Sequence, residues 1–126
     1  MGIRSTQGPD APTLAVGRGV EFLMNSGRNA AERPIGIHHN CLALPGFDVR
    51  KVLRQLETYG LKAREASSGP VPPLRYYISM RGPERGGAEK GTAELYFTDP
   101  DGLLIQLQDV SYCGGSGYLG NECPNA

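Results

Sequence analysis

The clearest hydrophobic pattern along the chain is a helical stripe that begins shortly after Pro45 and Gly46. Asp48 precedes the stripe as a plausible N-cap, and Gly60 stands where a C-terminal glycine cap belongs. The apolar residues at the spacing of one helix face are Val49, Val52, Leu53 and Leu56, with Tyr59 as an extension. The pattern predicts one amphipathic helix over residues 48–59.

Around that helix, apolar and polar residues alternate with the two-residue period of β-strands. In the segment 103–108, Gln106 and Gln108 share one face, while Ile105 and Leu107 share the face expected to meet the helix. Residues 99–102, with the sequence Asp-Pro-Asp-Gly, suit a tight turn before that strand. The predicted strands are 35–44, 61–66, 74–81, 93–98 and 103–108.

The strand predicted over 35–44 has two unlike faces. Leu42 and Leu44 lie on one face, and we expect them to pack against the helix. His39 and Cys41 lie on the other face, which is small and mostly polar. Because Cys41 belongs to an apolar run, it is expected to be a small buried side chain.

Before this region, two shorter apolar segments at 12–16 and 19–24 predict a β-hairpin with its turn at Gly17-Arg18-Gly19. A hairpin of this size is not stable alone in water, so it must dock on something else. The predicted organisation is a hairpin and linker over 1–33, a main module over 34–109 and a Gly-rich tail over 110–126.

Composition narrows the class of protein. A length of 126 residues favours one domain, and 13 basic residues balance 13 acidic ones, so no global field favours nucleic acid or a membrane surface. No apolar run approaches the roughly 18 residues of a membrane helix, and the N-terminus lacks the apolar core of a signal peptide. These features predict a cytoplasmic protein.

Two other patterns are set aside on physical grounds. The three cysteines, Cys41, Cys113 and Cys123, contain no CxxC pair, which argues against a structural zinc site. A disulfide between Cys113 and Cys123 is geometrically possible, but in a cytosolic chain we expect both to stay reduced as free thiols in the tail. Residues 115–120 match GxGxxG, but Pro124 follows and no helix pattern does, so dinucleotide binding is rejected.

Two segments resemble a known superfamily. Residues 37–44 (IHHNCLAL) look like the first strand of a vicinal oxygen chelate module, and residues 95–107 (LYFTDPDGLLIQL) look like its closing hairpin. That superfamily contains the glyoxalase, bleomycin-resistance and extradiol-dioxygenase proteins. The resemblance implies an α+β fold with a βαβββ module, here with an extra N-terminal β-hairpin that resembles the remnant of a preceding module.

The resemblance also implies a site. His39 falls at the family's metal-binding histidine, and Gln106 falls where the family usually has glutamate. A glutamine can ligate through its carbonyl oxygen but adds no charge, so a divalent metal (Fe, Mn, Zn or Ni) should bind more weakly. His38, the alternative ligand, would point into the helix layer. The residues expected to line the ligand cavity are Cys41, Tyr76, Glu94, Tyr96 and Gln108.

Two function classes remain open at this stage. One is a metal-dependent lyase, isomerase or dioxygenase acting on a small oxygen-rich substrate, with catalytic residues not identified. The other is a non-catalytic module that binds or sequesters a small antibiotic-like molecule. The superfamily builds its cup from two modules, so one complete module predicts association as a homodimer.

Overall fold

The structure is a computed structural model that describes residues 3–6, 12–15, 22–24, 36–83 and 87–110. The chain divides into two compact units. Of the described residues, the first contains 3–6, 12–15, 22–24, 36, 81–83 and 87–91, and the second contains 37–80 and 92–110. The predictions for Cys113, Cys123 and the tail lie outside the described residues. No helix in the described part of the chain is long and apolar enough to cross a membrane.

The first unit contains a three-stranded antiparallel sheet in the order β1-β2-β3. Its strands are β1 (Ile3–Thr6), β2 (Pro12–Ala15) and β3 (Phe22–Met24). The pairing of β2 with β3 agrees with the predicted hairpin, although both strands are shorter than expected and the turn lies outside the described residues. Strand β1 was not predicted, because Ile3 is the only strongly apolar residue in it.

The second unit is a small α+β domain built on a five-stranded mixed sheet in the order β4-β8-β7-β6-β5. Strand β4 runs parallel to β8, β8 runs antiparallel to β7, and β5 runs parallel to β6. Its elements are β4 (Asn40–Leu44), α1 (Val49–Glu57), β5 (Lys62–Ala63), β6 (Arg75–Arg81), β7 (Thr92–Thr98) and β8 (Leu104–Asp109). The first strand begins at residue 40 rather than at the predicted residue 35.

Helix α1 begins as the sequence predicts. Asp48 is its N-cap, and the Oδ1 atom accepts hydrogen bonds from the backbone nitrogens of Arg50 at 2.9 Å and Lys51 at 3.0 Å. The bond from Lys51 is the main reason why the pKa of Asp48 is lowered. The helix ends earlier than expected, with Thr58 as C-cap. Tyr59 is 79 % exposed, so its predicted membership of the buried stripe is wrong.

The apolar core lies between α1 and the central strands of the sheet. Leu53 from the helix is buried against Leu95 of β7 and Leu107 of β8. Ile105 packs against this cluster too, which confirms the expected helix-facing side of β8. The other partly buried residues around the cluster are Phe47, Val49, Val52, Leu56, Tyr76 and Phe97.

Strand β4 does not contribute to this core as expected. Leu42 is 54 % exposed and Leu44 is 36 % exposed, so the prediction that both leucines bury against the helix is wrong. The expected burial of Cys41 is wrong as well, because it is exposed. The physical reason is position: β4 is the terminal strand in the described sheet order, while α1 packs over the more central β7 and β8.

The predicted tight turn between β7 and β8 is formed by residues 99–102. The Oδ1 atom of Asp99 accepts hydrogen bonds from the backbone nitrogens of Asp101 at 2.9 Å and Leu103 at 2.8 Å. Gly102 has a φ of 86°, a left-handed conformation that glycine adopts without steric cost. This turn fixes the register of β8 against β7, which decides the residues that share each face of the sheet.

Candidate functional site

The candidate site is the face of the five-stranded sheet opposite helix α1, which we call the polar face. Strand pairing places Cys41 beside Gln106, and Gln106 beside Tyr96, so these residues form one row across β4, β8 and β7. The antiparallel register, continued by one residue, sets Glu94 opposite Gln108. Because side chains alternate along a strand, this face excludes the leucines of the core.

Three polar side chains on this face are buried and joined by hydrogen bonds; we call them the amide–carboxyl network. The Nε2 atom of Gln106 donates to Oε1 of Glu94 at 2.9 Å and to Oε1 of Gln108 at 2.7 Å. Glu94, Gln106 and Gln108 are each no more than 3 % exposed. A carboxylate only accepts hydrogen bonds, so the Gln106 atom that faces Glu94 is its amide nitrogen.

Next to the network, aromatic and cationic side chains form a row that we call the aromatic row: His39, Tyr96, Tyr77 and Arg64. The rings of Tyr77 and Tyr96 stack almost parallel, with 4.7 Å between centroids and 3° between planes. The His39 ring meets the Tyr96 ring edge-on, with 5.6 Å between the two centroids. The guanidinium carbon of Arg64 lies 4.0 Å from the Tyr77 centroid, within cation–π range.

The aromatic row and the network meet at Glu94. The Tyr96 hydroxyl donates to Oε2 of Glu94 at 3.2 Å, so both carboxyl oxygens accept a hydrogen bond. Burial raises the pKa of the Tyr77 phenol; the Arg64 guanidinium opposes that rise, and the Glu94 carboxyl group adds to it. The phenol therefore keeps its proton at neutral pH and remains a hydrogen-bond donor.

The two adjacent histidines form a pair at the margin of the polar face. Their Nδ1 atoms are 2.7 Å apart, and their rings meet edge-on with centroids 5.0 Å apart. His38 is exposed, whereas His39 is half-buried and contacts Tyr96. In a hydrogen bond between two Nδ1 atoms one donates and the other accepts, and the tautomers of the two rings decide which is which.

The structure brings the predicted site residues together on the polar face, with the exception of Tyr76. Gln106, Gln108, Glu94 and Tyr96 are linked directly, His39 contacts Tyr96, and Cys41 pairs in register with Gln106. Tyr76 lies on the opposite face: it packs against the leucine cluster, and its hydroxyl is 3.4 Å from Glu57.

Tyr77 occupies the position on the polar face that the sequence analysis assigned to Tyr76. Alternation already predicts that the two tyrosines face opposite sides, but not which of them stacks on Tyr96. Arg64 was missed altogether. No sequence signal connects it with Tyr77, because it follows the two-residue strand β5 and reaches the row only through the pairing of β5 with β6.

The implied metal can be tested against the donor groups present. Gln106 presents its amide nitrogen, not a ligating oxygen, to Glu94, and both oxygens of Glu94 accept protein hydrogen bonds. Among the described residues, no three His, Cys, Asp or Glu side chains are grouped in a way that could hold a metal ion. The arrangement does not fit a preformed divalent-metal site.

Comparison with known proteins gives no match: no protein-family model, no curated protein and no solved structure matches this chain.

Proposed function

We propose that this protein is a non-catalytic module that binds a small aromatic or oxygen-rich molecule on the polar face, like the binding members of the vicinal oxygen chelate superfamily that it resembles. The order of a strand, a helix and further strands in the second unit supports that resemblance. The closing Asp-Pro-Asp-Gly turn and the positions of His39 and Gln106 support it as well.

The observation that carries the proposal is the buried amide–carboxyl network. Burying a polar group without a hydrogen bond costs roughly 1–3 kcal/mol, whereas an apolar face avoids that risk. Stability alone therefore does not require polar residues at the positions of Glu94 and Gln106. Their hydrogen bonds hold polar atoms in defined directions, which is what selective recognition of a small molecule needs.

The aromatic row supplies the other half of such a site. Tyr77 and His39 are half-buried and Cys41 is exposed, so a planar ligand could contact these residues while the network below keeps its geometry. Aromatic rings favour offset stacking and edge-to-face contacts with planar ligands. The expected ligand is a flat molecule with hydroxyl or carbonyl groups at its edge.

Binding without a resident metal is favoured over metal-dependent catalysis by the donor geometry. A hard divalent ion prefers charged oxygen donors, and Gln106 supplies a neutral amide whose nitrogen donates to Glu94 and Gln108. We accordingly assign the Glu-to-Gln difference from the superfamily to a change from metal ligation to hydrogen bonding within the network.

We also propose that the protein forms a homodimer, because the chain carries one module where the superfamily uses two. The exposed leucines of β4 are consistent with association through this strand. Light scattering over a concentration series should give the mass of two chains at high micromolar concentration. A mass of one chain throughout that range would contradict the homodimer.

The binding proposal can be tested with neutral planar probes: phenol, catechol and resorcinol, followed by amide NMR shifts of the full chain. We expect saturable shifts centred on Tyr77, Tyr96 and Glu94, and weaker binding for Glu94→Gln and Tyr77→Leu. The matched control is Glu57→Gln, the same substitution on an exposed residue of the helix. If no probe shifts these amides, or if Glu57→Gln weakens binding equally, the proposal is wrong.

A further inference from the structure

A second feature of this unit lies in the segment that joins β5 to β6 and at the start of β6. Here the chain forms a partly open pocket of about 240 Å³. Its lining residues are Arg64, Glu65, Ala66, Pro70, Pro72 and Arg75. The pocket is separate from the amide–carboxyl network, and no role for it follows from the proposed function.

In the part of the chain that the structure describes, the two guanidinium groups of this pocket donate hydrogen bonds to backbone carbonyls. Arg64 donates from Nη2 to the Ser67 carbonyl at 2.6 Å, and Arg75 donates from Nη1 to the Leu74 carbonyl at 3.2 Å. Within the described residues, neither guanidinium forms an ion pair. Each guanidinium has several further N–H donors in a fixed planar fork, a geometry that matches carboxylate and phosphate oxygens.

Both arginines are held in place before any ligand arrives. Arg64 is fixed between the Ser67 carbonyl and the face of the Tyr77 ring. Arg75 follows Leu74, which has a φ of 56°, a left-handed conformation that is unfavourable for a residue with a side chain. The Leu74 carbonyl accepts from both Arg75 and the backbone nitrogen of Lys62, so pairing with β5 holds the strained residue. Strained backbone of this kind is concentrated at functional sites.

The charge and the volume of the pocket indicate which kind of ligand it could bind. The lining contains two arginines and one carboxylate residue, the exposed Glu65, so its side chains carry a net positive charge. A volume of about 240 Å³ is below the range of roughly 300–1,000 Å³ that is usual for pockets holding whole drug-sized ligands. The pocket suits a compact anionic group.

We propose that Arg64 and Arg75 form a binding site for a small oxyanion, the carboxylate or phosphate group of a free anion or of a larger ligand. Arg64 belongs both to this pocket and to the aromatic row, through its contact with Tyr77. A ligand anchored here by its anionic group would extend toward the stacked tyrosines. The anion site itself stands on the two arginines and does not depend on the proposed binding of neutral aromatics.

The site can be tested by titrating the full chain with inorganic phosphate and, separately, with acetate at constant ionic strength, followed by amide NMR shifts. Saturable shifts are expected at residues 64–67 and 74–75. Hydrogen bonds to charged groups are strong enough that Arg75→Gln or Arg64→Gln should lower the affinity about tenfold. Arg75→Lys should lie between the wild type and Arg75→Gln, since it keeps the charge but loses the fork.

Two further variants separate a built site from general attraction. Arg50→Gln removes the same charge from an exposed helix position and should leave the affinity unchanged. Glu65→Gln removes the carboxylate from the pocket and should raise the affinity severalfold. The proposal is overturned if neither anion gives saturable shifts, or if Arg50→Gln weakens binding as much as Arg75→Gln does.

Discussion

The two faces of the five-stranded sheet are made by alternate residues of the same strands, yet they are held together by different interactions. On the helix side, Leu95 and Leu107 pack against Leu53. On the polar face, their immediate neighbours Glu94 and Gln106 form hydrogen bonds at fixed angles. Hydrophobic contact is non-directional and tolerates repacking, whereas a buried hydrogen-bond network requires each partner. Apolar packing is thus the main stabilising interaction on the helix side, whereas hydrogen bonds fix the positions of the side chains on the polar face.

The strongest test of this contrast compares a core leucine with an edge leucine. Leu53→Ala should lower the free energy of unfolding by about 2–5 kcal/mol, because it opens a cavity in the buried cluster. Leu42→Ala, the same change at an exposed position of β4, should cost less than about 1 kcal/mol in the unassociated chain at low protein concentration. Urea unfolding of both variants measures the difference. Equal costs would mean that the core extends over β4 after all.

On the polar face, the corresponding substitution is Gln106→Leu. It removes the donor that serves Glu94 and Gln108, and it should cost about 1–3 kcal/mol because buried acceptors are left without that partner. Adding Glu94→Met to the same chain should recover part of the loss, since the carboxyl acceptor that lost its donor is then apolar too, while Gln108 and the Tyr96 hydroxyl still lack a former partner. If the double variant is less stable than either single variant, Gln106 and Glu94 are not coupled through their hydrogen bond.

Gln106→Glu tests how the buried network on the polar face responds to an added charge. It sets a second carboxyl group beside Glu94, and the repulsion should raise the folded-state pKa of the introduced carboxyl above its unfolded value. A raised folded pKa means that stability is fully present below the unfolded pKa and is lost as pH rises through the folded pKa. Each unit of such a rise is worth about 1.4 kcal/mol. Urea unfolding of the variant and the wild type between pH 4 and pH 8 measures this pH-dependent loss of stability.

The same variant tests whether the polar face is related to the metal site that the resemblance implies. With the charge restored, Mn²⁺, Fe²⁺, Zn²⁺ or Ni²⁺ should bind more tightly to Gln106→Glu than to the wild-type chain in titration calorimetry. Adding His39→Ala to that variant should remove the gain, because it takes away the nitrogen donor. If Gln106→Glu gains no metal affinity, the polar face does not descend from a metal site of the kind that the resemblance implies.

The smallest expected effect concerns the helix cap. The pKa of Asp48 is lowered from 3.8, mainly by its backbone hydrogen bond with Lys51. The cap therefore stabilises the fold fully above the unfolded pKa, and this contribution is lost as pH falls through the lower folded value. Asp48→Asn keeps an acceptor but not the charge, so its Tm should lie slightly below that of the wild type at pH 7 and converge with it in acid. A constant difference would exclude the charge as the cause.

Local patterns in the sequence were enough to predict the helix, the turn after β7 and the alternation of faces along β8. The Asp48 cap, the stripe through Leu53 and the turn after β7 depend on residues only a few positions apart, so a linear pattern carries them. Alternation along β8 likewise separates Gln106 from Leu107 without knowledge of the neighbouring strand.

Only the tertiary structure decided which strands are neighbours, and so which residues meet. The position of β4 at the end of the sheet exposes Leu42, although its sequence pattern is that of a buried residue. The stacking of Tyr77 rather than Tyr76 on Tyr96, and the place of Arg64 over that stack, depend on pairing between distant segments. The burial of a residue and its contacts depend on which distant segments of the chain pack against it. Periodicity along one strand contains no information about those segments.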